Sequence, residues 1–213
     1  MTVEAKICGL KSEEAVVAAI EGGATSVGFV FFDRSPRNVS VREVCNLTAG
    51  IPPQIYKVGL VVDASDEFLS EISGGRFLDM LQLHGQETPT RVSEVRKRFG
   101  LPVMKAIAIE GAKDLETARE YEDVVDRLMF DAKPPKGATR PGGNAVAFDW
   151  KLLQGIAWKK PWVLAGGLTP ENVVDAVRVS GADAVDVSSG VEDASGGKSI
   201  AKISTFLSAV QGI

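Results

Sequence analysis

Histidine and cysteine are scarce in this sequence, which contains one histidine, His84, and two cysteines, Cys8 and Cys45. A single histidine excludes a histidine-rich metal site, and a zinc site built from cysteine and histidine would run short of ligands. Two cysteines do not make a disulfide framework. We therefore expect reduced thiols, as in cytosolic proteins, and no bound metal.

Clustered positive charge and long apolar runs are also missing. Lysine and arginine total 24 against 28 acidic residues, and their longest run is three residues, at 96–98. The basic footprint that nucleic acid requires is therefore absent. No apolar run approaches the ~20 residues that span a bilayer, and the N-terminal stretch has no signal-peptide core. These absences predict a cytoplasmic protein with neither nucleic acid nor membrane as a partner.

The sequence does contain short β-branched runs that alternate with longer amphipathic segments. Serines and prolines precede several of the amphipathic segments, as is typical of helix starts. The predicted strands are Val3–Ile7, Ser26–Phe31, Ile55–Val62, Leu78–Leu83, Val103–Ile107, Arg127–Phe130, Trp162–Ala165 and Ala184–Val187. The predicted helices begin at Ser12 and Ser40 or span Ser65–Ser73, Pro89–Phe99, Ala112–Tyr121, Phe148–Ile156, Pro170–Ser180 and Ser199–Val210.

This alternation predicts an α/β protein with a parallel sheet, because each crossover between parallel strands needs a dozen or more residues. Eight strand–helix units favour a closed (β/α)₈ barrel, and no linker divides the chain, so we expect one domain over residues 1–213. The alternative is an open, doubly wound sheet. Its dinucleotide fingerprint is absent, since the first turn reads CGLKSE and not GxGxxG. We accordingly expect no nicotinamide or other cofactor.

Two glycine-containing loops follow the last two predicted strands, in LAGGL and VSSGVE. A barrel of this kind places its active site at the carboxyl ends of the strands, with phosphate beside the loops after strands 7 and 8. Glycines there let backbone N–H groups approach an anion. Tight turns are the alternative explanation, but two such loops in succession favour phosphate. The predicted phosphate-binding residues are Gly143, Gly166, Gly167, Ser188, Ser189 and Gly190.

Candidate reactive groups follow earlier strands of the barrel. Cys8 after strand 1 and Asp131 after strand 6 form a potential general base and general acid. By residue type alone, a buried hydrophobic role for Cys8 is the more common one. Asp131 follows the apolar run Leu128–Phe130 and is expected to face the mouth, with a solvated strand end or a pair with Lys133 as the alternative. A guanidinium at Arg37 suits a carboxylate. We expect His84 to be an ordinary hydrogen-bonded loop residue and Cys45 to be inert core.

Taken together, these motifs resemble one family, phosphoribosylanthranilate isomerase of tryptophan biosynthesis. The combination is far more specific than any single motif, and it favours a functional thiol at Cys8. The matching segments keep the family's order along nearly the whole chain: KICGL at 6–10, FVFFDRSPRNV at 29–39, VGLVVD at 58–63, LQLHG at 81–85, FDAK at 130–133, FDW at 148–150, LAGGLTPENV at 164–173 and DVSSGVE at 186–192.

The resemblance implies an Amadori rearrangement of N-(5′-phosphoribosyl)anthranilate to the corresponding 1-deoxyribulose 5-phosphate. It assigns Cys8 as the base, Asp131 as the acid and Arg37 as the partner of the anthranilate carboxylate. Asp186 matches an aspartate expected near the substrate's amino nitrogen. Lys6 should share a strand face with Cys8, so we include it in the substrate-binding set and as a candidate for tuning the thiol.

One segment departs from the family pattern. The family usually reads GGTG before FDW, whereas this chain has Asn144 and Ala145 in place of the Thr-Gly. Two other functions stay open at this point: a related aminoaldose isomerase of histidine biosynthesis, which typically uses two aspartates, and a non-catalytic barrel that binds a phosphometabolite. We expect a monomer, with a homodimer as the alternative.

Overall fold

A computed structural model describes residues 2–135 and 137–213 of the chain. Eight parallel strands close into a barrel in sequence order, with β1 hydrogen-bonded to β8. The predicted α/β class and the (β/α)₈ barrel are confirmed. The strands are β1 Glu4–Cys8, β2 Ser26–Phe31, β3 Tyr56–Val61, β4 Met80–Leu83, β5 Val103–Ile109, β6 Arg127–Ala132, β7 Trp162–Leu164 and β8 Ala184–Val187.

Helices cover the outside of the barrel. Five of them begin where the sequence predicts, because the side chains of Ser12, Ser40, Ser65, Thr88 and Ser199 accept hydrogen bonds from N–H groups in the first turn. The α-helices in the described residues are α1 Glu13–Glu21, α2 Val41–Thr48, α3 Asp66–Gly74, α4 Pro89–Phe99, α5 Ala112–Arg119, α6 Val173–Ser180 and α7 Ile200–Gln211.

The predicted helix over Phe148–Ile156 is wrong. That segment forms a single 3₁₀ turn at Trp150–Leu153. Asp149 caps it by accepting a hydrogen bond from Lys151 N, and Gly155 then takes a left-handed backbone conformation with φ of +72°. Glycine in that conformation stops a helix. A second 3₁₀ turn, Ser189–Val191, follows β8.

Side chains from alternate positions of the strands fill the barrel. Lys6 and Cys8 point inward from β1, Gln82 from β4, and Met129 and Asp131 from β6, and all five are at least 90% buried. Residues two apart on a strand share a face, so each of these strands directs a polar group toward the carboxyl-terminal mouth. A small apolar cluster also lies inside the barrel: Val58, Met104, Ala106, Met129, Val163, Ala165 and Ala184.

The assignment of Cys45 to the core is wrong. Cys45 is exposed on α2, whose buried face consists of Val44 and Thr48. Positions 44 and 48 are four apart and share one helix face, whereas position 45 is rotated by about 100° from position 44. Among the described residues, no helix combines the length and the apolar character needed to cross a membrane.

Candidate active site

A cavity opens at the carboxyl-terminal end of the barrel. It is lined by groups from loops and strand ends that are far apart in the sequence, as expected for a barrel of this class. The lining includes most of the predicted site residues: Cys8, Arg37, Asp131, Gly143, Gly166, Gly167, Asp186, Ser188 and Ser189. Lys6 lies deeper in the barrel, and neither Lys6 nor Gly190 lines the cavity.

Cys8 stands above a buried ion pair. Lys6 Nζ donates to Asp186 Oδ1 at 2.7 Å, with both side chains at most 10% exposed. Burial alone would lower the pKa of Lys6, but the Asp186 carboxylate and the Cys8 sulfur raise it above its usual value. Gly28 on β2 leaves room for this group, since a Cβ there would lie 2.8 Å from Lys6 Nζ and 2.9 Å from Cys8 Sγ.

Burial raises the pKa of the Cys8 thiol, although the ammonium groups of Lys6 and Lys198 act in the opposite direction. The predicted tuning by Lys6 therefore exists, but it does not outweigh desolvation in the unliganded protein. Cys8 is the neutral thiol at rest. A base at this position must gain its thiolate character when substrate enters the cavity.

Asp131 belongs to β6 itself and not to the loop after it. Its Oδ1 accepts from the backbone N–H of Ala132 at 2.8 Å, and its Oδ2 lies 3.2 Å from Nε2 of His84. Lys133 pairs instead with Glu110 on the surface at 2.6 Å. Asp131 is therefore a buried carboxyl group held toward the cavity, and a solvated strand end is excluded.

His84 lies in the site, which reasoning from the sequence missed. Its side chain is 10% exposed and it bridges Asp131 and Gln82, whose Nε2 lies 3.0 Å from Nδ1. The signal was present in LQLHG, where positions 82 and 84 share one face at the carboxyl end of β4. The expectation of a hydrogen-bonded loop residue is met by these contacts, and the structure adds that His84 lines the cavity.

Arg37 lies in the cavity wall but is already paired. Its Nε and Nη2 donate to the two oxygens of Glu192 at 2.6 and 2.9 Å, and Lys198 Nζ donates to the same carboxylate at 2.8 Å. Burial would raise the pKa of Glu192, but the two cations lower it. Sequence reasoning missed Glu192 and Lys198, because a pairing between β8 and β2 loops leaves no local pattern.

The loops after β7 and β8 require glycine. Gly166 and Gly167 have φ of +87° and +64°, the left-handed region that side chains avoid. A Cβ at Gly190 would overlap the carbonyl of Leu168, so that glycine permits the two loops to pack together. Ser188 and Ser189 line the cavity beside these glycines. The result is a wall of exposed backbone and hydroxyl groups suited to an anion.

The loop after β6 keeps its turn although Asn144 and Ala145 replace the Thr-Gly of the family pattern. Ala145 has φ of +56°, so an alanine occupies the left-handed conformation where the family usually has glycine. Asn144 donates from Nδ2 to Arg140 O at 3.3 Å, and Arg140 donates to Gly143 O at 3.0 Å. The loop keeps its turn and brings Gly143 to the cavity.

Comparisons with known proteins agree on one family. The family profile described as N-(5′-phosphoribosyl)anthranilate (PRA) isomerase matches residues 5–209. A curated relative of that name from Paramagnetospirillum magneticum is 55% identical over 100% of this chain and 99% of its own. The crystal structure of phosphoribosyl anthranilate isomerase from Thermotoga maritima is 33% identical, covers 99% of this chain and 100% of its own, and superposes with a TM-score of 0.88.

A further solved structure carries a ligand. It is a phosphoribosyl anthranilate isomerase in complex with reduced 1-(o-carboxyphenylamino)-1-deoxyribulose 5-phosphate. That protein is 31% identical to this chain, with coverage of 99% and 100% of the two chains and a TM-score of 0.84.

Proposed function

Since this chain belongs to the N-(5′-phosphoribosyl)anthranilate isomerase family, we propose a division of labour among its cavity residues for that reaction. The enzyme is an aldose–ketose isomerase of tryptophan biosynthesis. It converts the aminoaldose N-(5′-phosphoribosyl)anthranilate into 1-(2-carboxyphenylamino)-1-deoxyribulose 5-phosphate. The reaction needs one acid, one base and sites for two anionic groups, the phosphate and the carboxylate.

Asp131 is the general acid in this proposal. It protonates the furanose ring oxygen, the C1′–O bond breaks, and the nitrogen lone pair forms the C1′=N bond of a protonated Schiff base. Ala132 N donates to Asp131 Oδ1 and His84 Nε2 faces Oδ2, so each oxygen has one acceptor position occupied. A carboxyl group has about four acceptor positions, so a position that carries the acidic proton is left to face the cavity.

Cys8 is the general base. It removes the proton from C2′, and the electron pair moves through C1′ to neutralise the cationic nitrogen, which gives an enolamine that tautomerises to the ketose. The cationic Schiff base and the Lys6 ammonium both favour the thiolate. The thiol is thus neutral in the empty site and becomes a stronger base once the substrate's positive charge has formed beside it.

The anionic ends of the substrate are assigned to neighbouring parts of the cavity wall, which meet where Arg37 Nη2 donates to Gly143 O at 3.4 Å. We assign the phosphate to the backbone and hydroxyl groups of Gly143, Gly166, Gly167, Ser188 and Ser189, supported by the left-handed glycines and by the usual position of phosphate in this fold. Gly190 acts by letting the two loops meet. The anthranilate carboxylate lies at Arg37.

Asp186 keeps Oδ2 for the substrate's amino group, since only Oδ1 is bonded to Lys6. Lys6 acts from beneath, by holding Asp186 and by stabilising the thiolate. A cytoplasmic location and a monomeric state complete the proposal, and both rest on the sequence alone.

The observation that carries this assignment is the convergence of Cys8, Asp131 and Arg37 on one cavity with the late glycine loops. The test is a fluorescence assay in which purified protein consumes N-(5′-phosphoribosyl)anthranilate, alongside the aminoaldose of histidine biosynthesis as the competing substrate. Turnover of the first and none of the second is expected. The reverse result would favour the histidine-pathway isomerase, and turnover of neither would favour a binding barrel.

A further inference from the structure

A fully buried amide lies directly beneath the Asp131–His84 pair. Gln82 on β4 has no exposed surface. Its Nε2 lies 3.0 Å from His84 Nδ1 and 3.2 Å from the sulfur of Met129. Its Oε1 is buried without a hydrogen-bond partner among residues 2–135 and 137–213. A polar group left in this state needs an explanation.

The contacts of Gln82 fix the orientation of its amide. With Nε2 toward His84, one hydrogen points at Nδ1 and the other at the Met129 sulfur, a weak acceptor, so both donors are used. The reverse orientation would place Oε1 against the sulfur and bury both hydrogens at the position that has no partner. The observed orientation therefore leaves a single acceptor unpaired instead of two donors.

This orientation determines where His84 carries its proton. A ring nitrogen that accepts a hydrogen bond holds no proton, so Nδ1 is bare and the proton is on Nε2, facing Asp131 Oδ2. In the opposite tautomer, Nε2 would be an acceptor and would draw the proton of the Asp131 carboxyl group toward the imidazole. That proton would then point away from the substrate.

We propose that Gln82 is a positioning residue, which holds His84 in the Nε2–H tautomer so that His84 donates to Asp131 and the acidic proton of Asp131 stays available to the sugar. The inference rests on the proposed role of Asp131 as the acid. It gives the unpaired Oε1 a reason, since the amide cannot turn to satisfy that oxygen without reversing the tautomer.

The chain allows a direct test because His84 is its only histidine. Long-range ¹H–¹⁵N NMR spectra of the full protein, labelled at histidine, report the protonation of each ring nitrogen without any need for assignment. The expected spectrum has an unprotonated Nδ1 and a protonated Nε2. A protonated Nδ1 in the wild-type protein would overturn the proposal.

Two variants connect the tautomer to turnover. Gln82→Glu puts an acceptor opposite Nδ1, so the proton should move to Nδ1 and kcat should fall about 10- to 100-fold while KM changes less than about twofold. Gln82→Met removes the donor at similar volume and should give a mixture of tautomers with an intermediate kcat. A shifted proton together with wild-type kcat would contradict the role in positioning the acid.

Met104→Leu is the matched control for disturbance of the barrel interior, since Met104 is also buried and pairs with Gln82 across β4 and β5. It should lower Tm by a similar amount and leave the His84 spectrum unchanged. A changed spectrum in Met104→Leu would mean that general repacking sets the tautomer, against the proposal.

The proposed role of Asp131 and the proposed role of Gln82 are tested by separate measurements. If Asp131→Asn keeps wild-type turnover, the acid is assigned wrongly. The NMR spectrum in that case still decides whether Gln82 sets the tautomer.

Discussion

Arg37 and Glu192 form a bidentate ion pair between the loops after β2 and β8, the two strands that flank β1, with Nε–Oε1 and Nη2–Oε2 distances of 2.6 and 2.9 Å. The two side chains are 7% and 12% exposed, so the guanidinium is held in one orientation before any substrate arrives. Within the described part of the chain, Nη1 takes no such hydrogen bond. It is therefore the nitrogen that we propose for the contact with the substrate carboxylate.

Removal of this guanidinium should affect binding more than turnover. Arg37→Ala should raise KM by about 10- to 100-fold, which corresponds to the loss of a hydrogen bond to a charged group, with a smaller change in kcat. Steady-state kinetics over a range of substrate concentrations, from well below KM to saturation, separates the two effects. Arg37→Lys is the control, since it keeps the positive charge but not the bidentate geometry of the guanidinium. Its KM should lie between those of the wild type and Arg37→Ala. An unchanged KM in Arg37→Ala would refute the carboxylate role.

Glu192 should stabilise the fold in a pH-dependent way. Glu192→Gln leaves Arg37 and Lys198 without their carboxylate, and we expect a loss of about 1–3 kcal/mol of unfolding free energy at pH 7. The pKa of Glu192 is lowered in the folded protein, so its contribution is present above the unfolded-state value and disappears as the pH falls through the folded-state value. The difference between the two proteins should therefore begin to shrink as the pH falls below about 4.3, and it should vanish only below the folded-state value.

Urea denaturation across that pH range measures the effect. The control is Glu94→Gln, whose side chain is 61% exposed and 3.8 Å from Arg91. It should change stability by less than about 0.5 kcal/mol at every pH. A constant difference between wild type and Glu192→Gln down to pH 3 would show that the carboxylate charge is not responsible.

The architecture was predictable because its signals are local. Serine caps, alternating strands and repeated strand–helix spacing are read from a few neighbouring residues, and they fixed the barrel and the side of it that holds the site. The prediction of a helix over Phe148–Ile156 was wrong, because the amphipathic pattern there is interrupted by Gly155, which has a left-handed backbone conformation. The assignment of Cys45 to the core was wrong because adjacent positions on a helix face different directions, and only position 44 faces the barrel.

The chemical detail was only partly predictable. Cys8, Asp131 and Arg37 were found from strand ends and from the family pattern. Pairings such as Arg37 with Glu192, 155 positions away, depend on closure of the barrel. The direction of the Cys8 pKa also depends on burial, which opposes and outweighs the neighbouring lysine that sequence alone suggests.

Replacement of the proposed acid or base should reduce turnover without unfolding the protein. Cys8→Ser and Asp131→Asn should each lower kcat by about 10²–10⁴-fold, the usual contribution of general acid–base catalysis. Cys45→Ser is the control for loss of a thiol and should keep wild-type kcat, since Cys45 is exposed on α2. Wild-type turnover in Cys8→Ser would remove the thiol from the mechanism, and in Asp131→Asn it would remove the carboxyl group.

The Cys8 thiol should react slowly near neutral pH. Because burial raises its pKa, the thiolate fraction is small at pH 7, and alkylation by iodoacetamide should accelerate about tenfold per pH unit up to pH 9 without levelling off. The experiment uses Cys45→Ser protein, in which Cys8 is the only thiol. The same protein in urea is the control, and there the rate should level off near pH 8.5. A plateau below pH 8 in the folded protein would contradict the raised pKa.

The loop after β6 should gain stability from a single glycine. Ala145 has φ of +56°, a conformation that costs a residue with a Cβ about 1–2 kcal/mol, whereas glycine adopts it freely. Ala145→Gly relieves that strain but increases the entropy of the unfolded chain, which costs about 0.4–1 kcal/mol, so a net gain of up to about 1.6 kcal/mol is expected in urea denaturation. Ala147→Gly, two residues away and without a positive φ, is the control and should lose about 0.5–1 kcal/mol. Equal losses in both variants would show that Ala145 is not strained.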